Sequence, residues 1–247
     1  KDVEEWDAVN ARDEEARIVR GMLITSLKHV EMAKARQRWK SRLVAVGCNI
    51  RTGSGEKVVE QLQHIVPGSL AASRLGTGYS LLCEDGVCVG FDVPGAYVTA
   101  PLSGPATYLE LDRIYWPAAW KGYRRPVTRI WKALYGLPRG DIDWGHRARQ
   151  HLEAEGWNKI RDFGEDSLFV KAPEEDDIAA GVPNNASLAS LYSDDFKLSG
   201  ERKPTLKFLN RLRTRLGTSK TTLQQQQAQG NEDAELSEFV GLEFTPK

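Results

Sequence analysis

The sequence has little cysteine and no long apolar run, and each absence removes a class of protein. Its three cysteines, Cys48, Cys83 and Cys88, are odd in number and lack the spacing of metal ligands, which favours free thiols in a reducing compartment over a disulfide framework. No stretch reaches the roughly 18 consecutive apolar residues of a membrane span, and the acidic start KDVEEWDAVN is unlike a signal peptide. We therefore expect an intracellular protein that is not secreted and has no membrane partner.

An excess of charge of either sign is also absent. Lys and Arg together number 34, and so do Asp and Glu, which gives a formal net charge of zero. Any binding of nucleic acid must then depend on local patches of charge. The chain has 247 residues, of which 40% are hydrophobic, and it is long enough to bury the core of one large domain or two small ones. Because the first residue is Lys1 and not Met, we expect a piece of a longer chain.

One local patch of positive charge lies in the stretch EMAKARQRWKSRLVAVGCN. Its cations recur at every second position, and as a strand they would share one face: Lys34, Arg36, Arg38, Lys40 and Arg42. Runs of charge usually face water, so a solvated surface is one interpretation. The alternative is a phosphate-bearing ligand, which would relieve the repulsion between the cations.

Three carboxylates are placed where strands can hold them. Asp92 lies near the end of the apolar run GVCVGFDV, and Asp194 and Asp195 lie at the centre of SLASLYSDDFKLSG, which predicts a hairpin. Asp also favours exposed turns for reasons of local hydrogen bonding, and this is the ordinary interpretation of such a pair. If the two elements are sheet neighbours, the carboxylates converge and offer the oxygen ligands that Mg²⁺ prefers.

The order of apolar and polar segments predicts an α+β fold, with a mostly antiparallel sheet packed on helices. We expect helices in DVEEWDAVNARDEEARIVRGML, DIDWGHRARQHLEAEGW and PTLKFLNRLRTRLG, and strands in YLELDRIYW, EDSLFVKA and FVGLEF. The polar, Gln-rich stretch before FVGLEF predicts a loop or a disordered insert at 218–238.

Six short stretches, taken in order, resemble the reverse transcriptase domain of copia-type retrotransposon polyproteins. From the first to the last they span about four-fifths of the chain: KSRLVAVG (40–47), FDVPGAYVTAPL (91–102), ALYGLPRGDIDW (133–144), DSLFV (166–170), YSDDFKLSG (192–200) and FVGLEF (239–244). The resemblance implies a single domain with the right-hand palm and fingers of a polymerase, the thumb being largely missing. Residues 1–86 would form an N-terminal helix and fingers, 87–200 mainly palm, and 201–247 the end of the palm.

The family assigns roles to individual residues. Asp92, Asp194 and Asp195 would be catalytic and would bind two Mg²⁺ ions, with Mn²⁺ as a possible substitute. Tyr192 and Ser193 would lie beside the primer end. The residues expected to contact the nucleotide are Lys40 and Arg42 at the triphosphate, Tyr97 as a steric gate against the ribose 2′-hydroxyl, and Arg139. A packed core aromatic is the alternative interpretation of Tyr97.

The implied function is RNA-directed DNA polymerisation. The partners would be an RNA or DNA template with its primer, deoxynucleoside triphosphates, and the rest of the Pol polyprotein, including integrase and RNase H, in a cytoplasmic virus-like particle or the nucleus. The chain departs from the family in LPRGDID, at Ser193 and in the polar insert. The small Ser193 should be tolerated, whereas the altered loop, the polar insert, the missing thumb and the zero net charge favour a second hypothesis, an inactive relic that keeps the fold and at most binds nucleic acid. A third hypothesis is a hydrolase with a carboxylate acid/base pair.

Overall fold

The computed structural model describes residues 3–59, 69–161, 167–217, 238–239 and 242–243. Within these residues the predicted mixed α+β class is confirmed, with six α-helices, two larger sheets and a two-stranded ribbon. The chain divides into two compact units, the first comprising residues 1–64 and 97–144 and the second residues 65–96 and 145–247. A single domain with boundaries at residues 86 and 200 stays a prediction.

Strands and helices are interspersed along the chain. The strands are β1 (Val3–Glu5), β2 (Arg17–Lys28), β3 (Arg38–Ala45), β4 (Arg51–Thr52), β5 (Gly86–Asp92), β6 (Thr107–Leu111), β7 (Pro126–Ile130), β8 (Asn158–Lys159), β9 (Leu168–Lys171), β10 (Ser187–Tyr192), β11 (Asp195–Glu201), β12 (Glu238–Phe239) and β13 (Leu242–Glu243). The helices are α1 (Trp6–Arg12), α2 (Leu70–Leu82), α3 (Ala96–Thr99), α4 (Pro138–Ala154), α5 (Glu175–Ala179) and α6 (Arg202–Arg215). No described helix is long and apolar enough to cross a membrane.

The sheet of the first unit has the strand order β1-β7-β6-β2-β3, and β4 also pairs with β2. Strands β2 and β6 run parallel and the other neighbours antiparallel. Two groups of buried residues form its core: Trp6, Val9, Ala16, Ile18, Tyr108 and Val127 in one, and Val19, Ala45, Ile50, Leu109 and Leu137 in the other. Beyond Gly21, strand β2 leaves this core, and with β3 it forms a two-stranded arm.

The prediction of one helix over residues 2–23 is confirmed only for Trp6–Arg12, because Val3–Glu5 form strand β1 and the chain leaves the helix after Arg12. Helix α1 ends at Arg12, because the next residue, Asp13, has an extended backbone with a φ of −144°, and strand β2 begins at Arg17. The segment RIVRGMLITSLK is rich in β-branched residues, which favour strands. Trp6 and Val9 of the helix share a helical period with Ala16 and Val19, but Ala16 lies before β2 and Val19 within it.

The predicted basic strand is confirmed only in part. Residues 34–36 form a turn of 3₁₀ helix, and β3 begins at Arg38. Arg38, Lys40 and Arg42 therefore alternate on one face of the strand, whereas Lys34 and Arg36 lie before it. The repulsion of five cations on a single strand face does not arise.

The sheet of the second unit has the order β5-β11-β10-β9-β8, with every neighbouring pair antiparallel. The predicted hairpin is formed by β10 and β11, and β11 also pairs along its length with β5. The predicted helices in DIDWGHRARQHLEAEGW and PTLKFLNRLRTRLG are confirmed as α4 and α6, each beginning a few residues earlier than expected. The polar insert at 218–237 lies outside the described residues, as do Asp166 and parts of FVGLEF.

The two faces of this sheet differ in chemistry. Phe91 of β5 stacks on Phe196 of β11 with ring centroids 4.9 Å apart, and Arg213 of α6 lies over the Phe91 ring. Phe208 and Leu212 of α6 are also buried. This apolar face therefore holds the core of the second unit. The opposite face carries Asp92 and Asp195, because side chains alternate along a strand.

Candidate metal-binding carboxylate site

Two aspartates that are far apart in the sequence face each other on adjacent strands. In the register of β5 and β11, Asp92 lies directly opposite Asp195. The N–H of Val93 donates to the carbonyl oxygen of Asp194 at 3.0 Å. Asp92 and Asp195 therefore form a non-hydrogen-bonded pair of the antiparallel ladder, in which the two residues share no backbone hydrogen bonds. The Cα atoms of such pairs are about 4.5 Å apart, and both side chains lie on the same face of the sheet.

A tight turn places the third aspartate next to this pair. Tyr192 pairs with Asp195, so Ser193 and Asp194 form a two-residue turn between β10 and β11. Ser193 has a φ of 54°, in the left-handed region that the first residue of a type II′ turn adopts, where Gly is usual. A non-glycine residue in this region costs roughly 1–2 kcal/mol. Backbone strain of this kind clusters at functional sites. Here the turn places Asp194 directly before Asp195.

The carboxylates are accessible to a ligand. Asp92 is exposed, and Asp194 and Asp195 are half-buried. Within the described parts of the chain, no group of three or more His, Cys, Asp or Glu side chains is arranged to hold a metal ion. Mg²⁺, however, commonly binds through one or two carboxylates and completes its shell with water and substrate phosphates. The Asp92–Asp195 pair therefore fits a cation held jointly by protein and substrate.

A buried lysine lies on the same face of the sheet and was missed in the sequence. Lys197 is 1% exposed, and its Nζ donates to the carbonyl oxygen and to Oγ of Ser73 at 2.8 and 2.9 Å, and to Oγ1 of Thr77 at 2.7 Å. Burial lowers the pKa of Lys197, and the nearby Cys88 thiol partly offsets this effect. The only signal in the sequence was a lysine that lies two residues after Asp195, between Phe196 and Leu198.

The cations predicted to bind the triphosphate lie on the β2–β3 arm of the first unit. Arg42 is exposed and Lys40 is half-buried. Arg38 pairs with Lys28 and Lys40 with Ser26 across the arm, so Lys28, Arg38, Lys40 and Arg42 share one face. Trp39 lies on the opposite face and is 73% exposed. The arm thus has a cationic face suited to phosphate groups.

Tyr97 and Arg139 both contact other residues of the first unit. Tyr97 is 6% exposed, its hydroxyl donates to Oδ1 of Asp141, and its ring centroid lies 4.2 Å from that of Tyr135. Arg139 donates to the carbonyl oxygen of Ser103 at 3.0 Å. The LPRGDID segment, which departs from the family pattern, therefore supplies partners to Tyr97 and to the loop after α3.

The predicted site residues are divided between the two units. Asp92, Asp194, Asp195, Tyr192 and Ser193 meet at one end of the second unit's sheet. The predicted nucleotide-binding residues belong to the first unit: Lys40, Arg42, Tyr97 and Arg139. Their roles stay predictions.

No protein-family model matches this chain, and no curated protein matches it. Membership of a family is therefore a proposal that rests on the residues themselves.

Proposed function

We propose that this chain is the RNA-directed DNA polymerase (reverse transcriptase) domain of a copia-like retrotransposon polyprotein. The observation that carries the proposal is the direct pairing of Asp92 with Asp195, beside a two-residue turn that contains Asp194. The six ordered stretches that resemble the family support it. A hydrolase with an acid/base pair would account for the carboxylates alone, but not for the order of the other stretches.

In this proposal Asp92, Asp194 and Asp195 bind Mg²⁺ or Mn²⁺. Two such ions would supply electrostatic stabilisation to the attacking and leaving oxygens of a displacement at phosphorus. The primer 3′-hydroxyl attacks the α-phosphate of the incoming deoxynucleotide, and pyrophosphate leaves. The contribution of the chain is rigidity, because the strand register fixes Asp92 and Asp195 and the tight turn fixes Asp194 before substrate arrives.

The remaining roles follow from the same assignment. The five-stranded sheet with α2 and α6 corresponds to the palm, and the β2–β3 arm to part of the fingers. Lys40 and Arg42 bind the triphosphate of the nucleotide, and Tyr192 and Ser193 contact the primer end. Template, primer and deoxynucleoside triphosphates are the partners, together with the rest of the Pol polyprotein inside the cell.

Two observations favour the second candidate, an inactive relic that binds nucleic acid without extending a primer. Tyr97 is only 6% exposed, whereas a steric gate must contact the sugar of the nucleotide. The guanidinium of Arg139 already donates to the carbonyl oxygen of Ser103. A chain of this kind would bind a primer and template with a clear dependence on salt, since phosphate contacts release counterions, and would incorporate no nucleotide.

Primer extension on poly(rA)/oligo(dT) with Mg²⁺ or Mn²⁺ tests the proposal. We expect extension by the parent chain and a loss of about 100-fold or more in Asp194→Asn, because bound metal ions contribute several kcal/mol to the transition state. Asp176→Asn is the matched control, since Asp176 is exposed on α5 and the change is chemically the same. Full activity in Asp194→Asn would rule out the metal assignment, and tight binding without extension by the parent would favour the relic.

A further inference from the structure

Strand β5 forms one edge of the sheet of the second unit. Along its whole length it pairs one-to-one with β11, without a bulge, and no other described strand lies on its outer side. Its seven residues, GVCVGFD, include no Pro, and the only charged residue is Asp92 at the end. A long sheet edge without charge, Pro or bulge is a template for pairing with another strand.

The other sheet edges among the described residues are protected against such pairing. Strands β1, β4, β8, β12 and β13 have only two or three residues each. Strand β3 is longer, but it carries Arg38, Lys40 and Arg42. Short strands and charged side chains are common means by which proteins block the edges of their sheets. Strand β5 is therefore the one long edge without such protection in the described part of the chain.

The strand register determines which backbone groups of β5 point outwards. Asp92 and Asp195 form a non-hydrogen-bonded pair, and the inward and outward directions alternate from there along β5. The N–H and C=O groups of Val89 therefore point to β11, whereas those of its neighbours Cys88 and Gly90 point away from it. Cys88 and Gly90 are only half-buried. The outer edge thus presents backbone groups that another strand can bind.

The polar face of β5 is complementary to itself at this edge. Val89 is the central residue of the strand. When two copies pair antiparallel about a two-fold axis at Val89, Cys88 of each copy lies opposite Gly90 of the other, and Asp92 lies opposite Gly86. Each side chain on this face then meets a glycine. The two Asp92 carboxylates lie at opposite ends of the paired strands, so like charges do not meet.

The apolar face agrees with the same axis. It sets Val87 of one copy opposite Phe91 of the other, and aromatic residues opposite β-branched residues stabilise sheets. We propose that two copies of this chain form a dimer through antiparallel pairing of their β5 strands, which joins the two five-stranded sheets into one. Two-fold pairing is closed, because each copy covers the exposed edge of the other. The inference does not depend on the proposed polymerase activity.

Sedimentation velocity of the full chain, over a range of protein concentrations and with a reducing agent, tests this inference. We expect the parent to pass from monomer to dimer. Cys88→Pro should raise the dissociation constant of the dimer about tenfold or more, because Pro removes an outward N–H from each copy and leaves the β5–β11 hydrogen bonds in place. Cys88→Ala is the matched control, since it loses the thiol and keeps the N–H, and its dissociation constant should stay within about twofold of the parent value.

Hydrogen exchange of single amides, followed by NMR, is a second measurement that needs only the parent chain. We expect exchange at Cys88 and Gly90 to slow as the protein concentration rises, because these amides become bonded to the second copy. The Val89 amide is bonded to β11 and should be protected at every concentration. If Cys88→Pro does not fold, this measurement decides.

Four results would overturn the inference and leave the polymerase proposal intact. They are a parent that stays monomeric at every concentration, a dimer that Cys88→Pro leaves unchanged, an equal loss of the dimer in Cys88→Ala, and exchange at Cys88 and Gly90 that does not depend on concentration. The third result would show that the thiol, and not strand pairing, holds the two copies together.

Discussion

At the scale of single residues, the candidate site is held in an arrangement that does not favour stability. Asp92 and Asp195 carry like charges directly opposite each other in a non-hydrogen-bonded pair, where side chains lie close together. Ser193 adopts a left-handed backbone conformation that suits Gly. Each feature raises the free energy of the folded chain. Local strain and like charges in one small region are typical of a site selected for binding or catalysis at the expense of stability.

The variant Asp195→Asn should therefore stabilise the metal-free protein. We expect an increase of about 0.5–1 kcal/mol in the free energy of unfolding, because the repulsion between Asp195 and Asp92 is removed. Urea denaturation in the presence of EDTA measures the change. Asp176→Asn, on the exposed surface of α5, should stay within about 0.5 kcal/mol of the parent. A clear loss of stability in Asp195→Asn would show that the aspartate pair is not under repulsion.

The sequence indicated the aspartate site but not the burial of Lys197. Asp92 and the Asp194–Asp195 doublet were expected to meet if their strands were sheet neighbours, because Asp92 ends one strand, Asp195 begins another, and in an antiparallel pair the end of one strand lies beside the start of the other. The burial of Lys197 could not be predicted, because it depends on where helix α2 packs. Hydroxyl groups at Ser73 and Thr77 satisfy its donors, and these residues lie far from it in the sequence.

At the scale of elements, an ion cluster joins α5 to α6. Glu174, which precedes α5, lies 2.7 Å from Lys207 Nζ and also bonds Arg211, both on α6. Lys171 at the end of β9 lies 3.5 Å from the same carboxylate. The bonds from Lys207 and Arg211 lower the pKa of Glu174 to about 2. The ion pairs of Glu174 are thus present only while Glu174 is ionised, whereas Lys207 also lies 3.0 Å from Asp177 Oδ2.

The pH dependence of stability should report this cluster. A carboxyl group whose pKa is lower in the folded than in the unfolded chain stabilises the fold above its unfolded value, here 4.5, and this stabilisation is lost as the pH falls from 4.5 towards about 2. We expect a contribution of about 1–2 kcal/mol, since the ion pairs are partly exposed. Thermal denaturation of Glu174→Gln should show a shallower decline over this range, and an unchanged decline would contradict the assignment.

The elements themselves were predicted with uneven success. Helices α4 and α6 and the β10–β11 hairpin followed from periodicity and turn residues, which act locally. The opening segment was assigned to one helix because its apolar residues kept a helical period. The β-branched residues of β2 and its pairing with β3 and β6 make this segment a strand instead. A local sequence pattern does not indicate pairing partners that are distant in the sequence.

At the scale of the whole molecule, the chain forms two compact units, each assembled from separated segments. Composition indicated room for two small domains, but the boundaries at residues 64 and 97 could not be predicted, because the chain leaves the first unit and later returns to it. The zero net charge is likewise an average. It conceals a cationic arm in the first unit and a carboxylate pair in the second.

The central claim is that a divalent cation binds where Asp92 and the Asp194–Asp195 turn meet. Bound Fe²⁺, supplied with ascorbate and peroxide in place of Mg²⁺, generates hydroxyl radicals that cut the backbone close to the metal, so the positions of the cuts locate the site. We predict cuts within a few residues of both Asp92 and Asp194, suppressed by excess Mg²⁺ and lost in Asp195→Asn but not in Asp176→Asn. Cuts at only one of these segments, at neither, or unchanged in Asp195→Asn would contradict the claim.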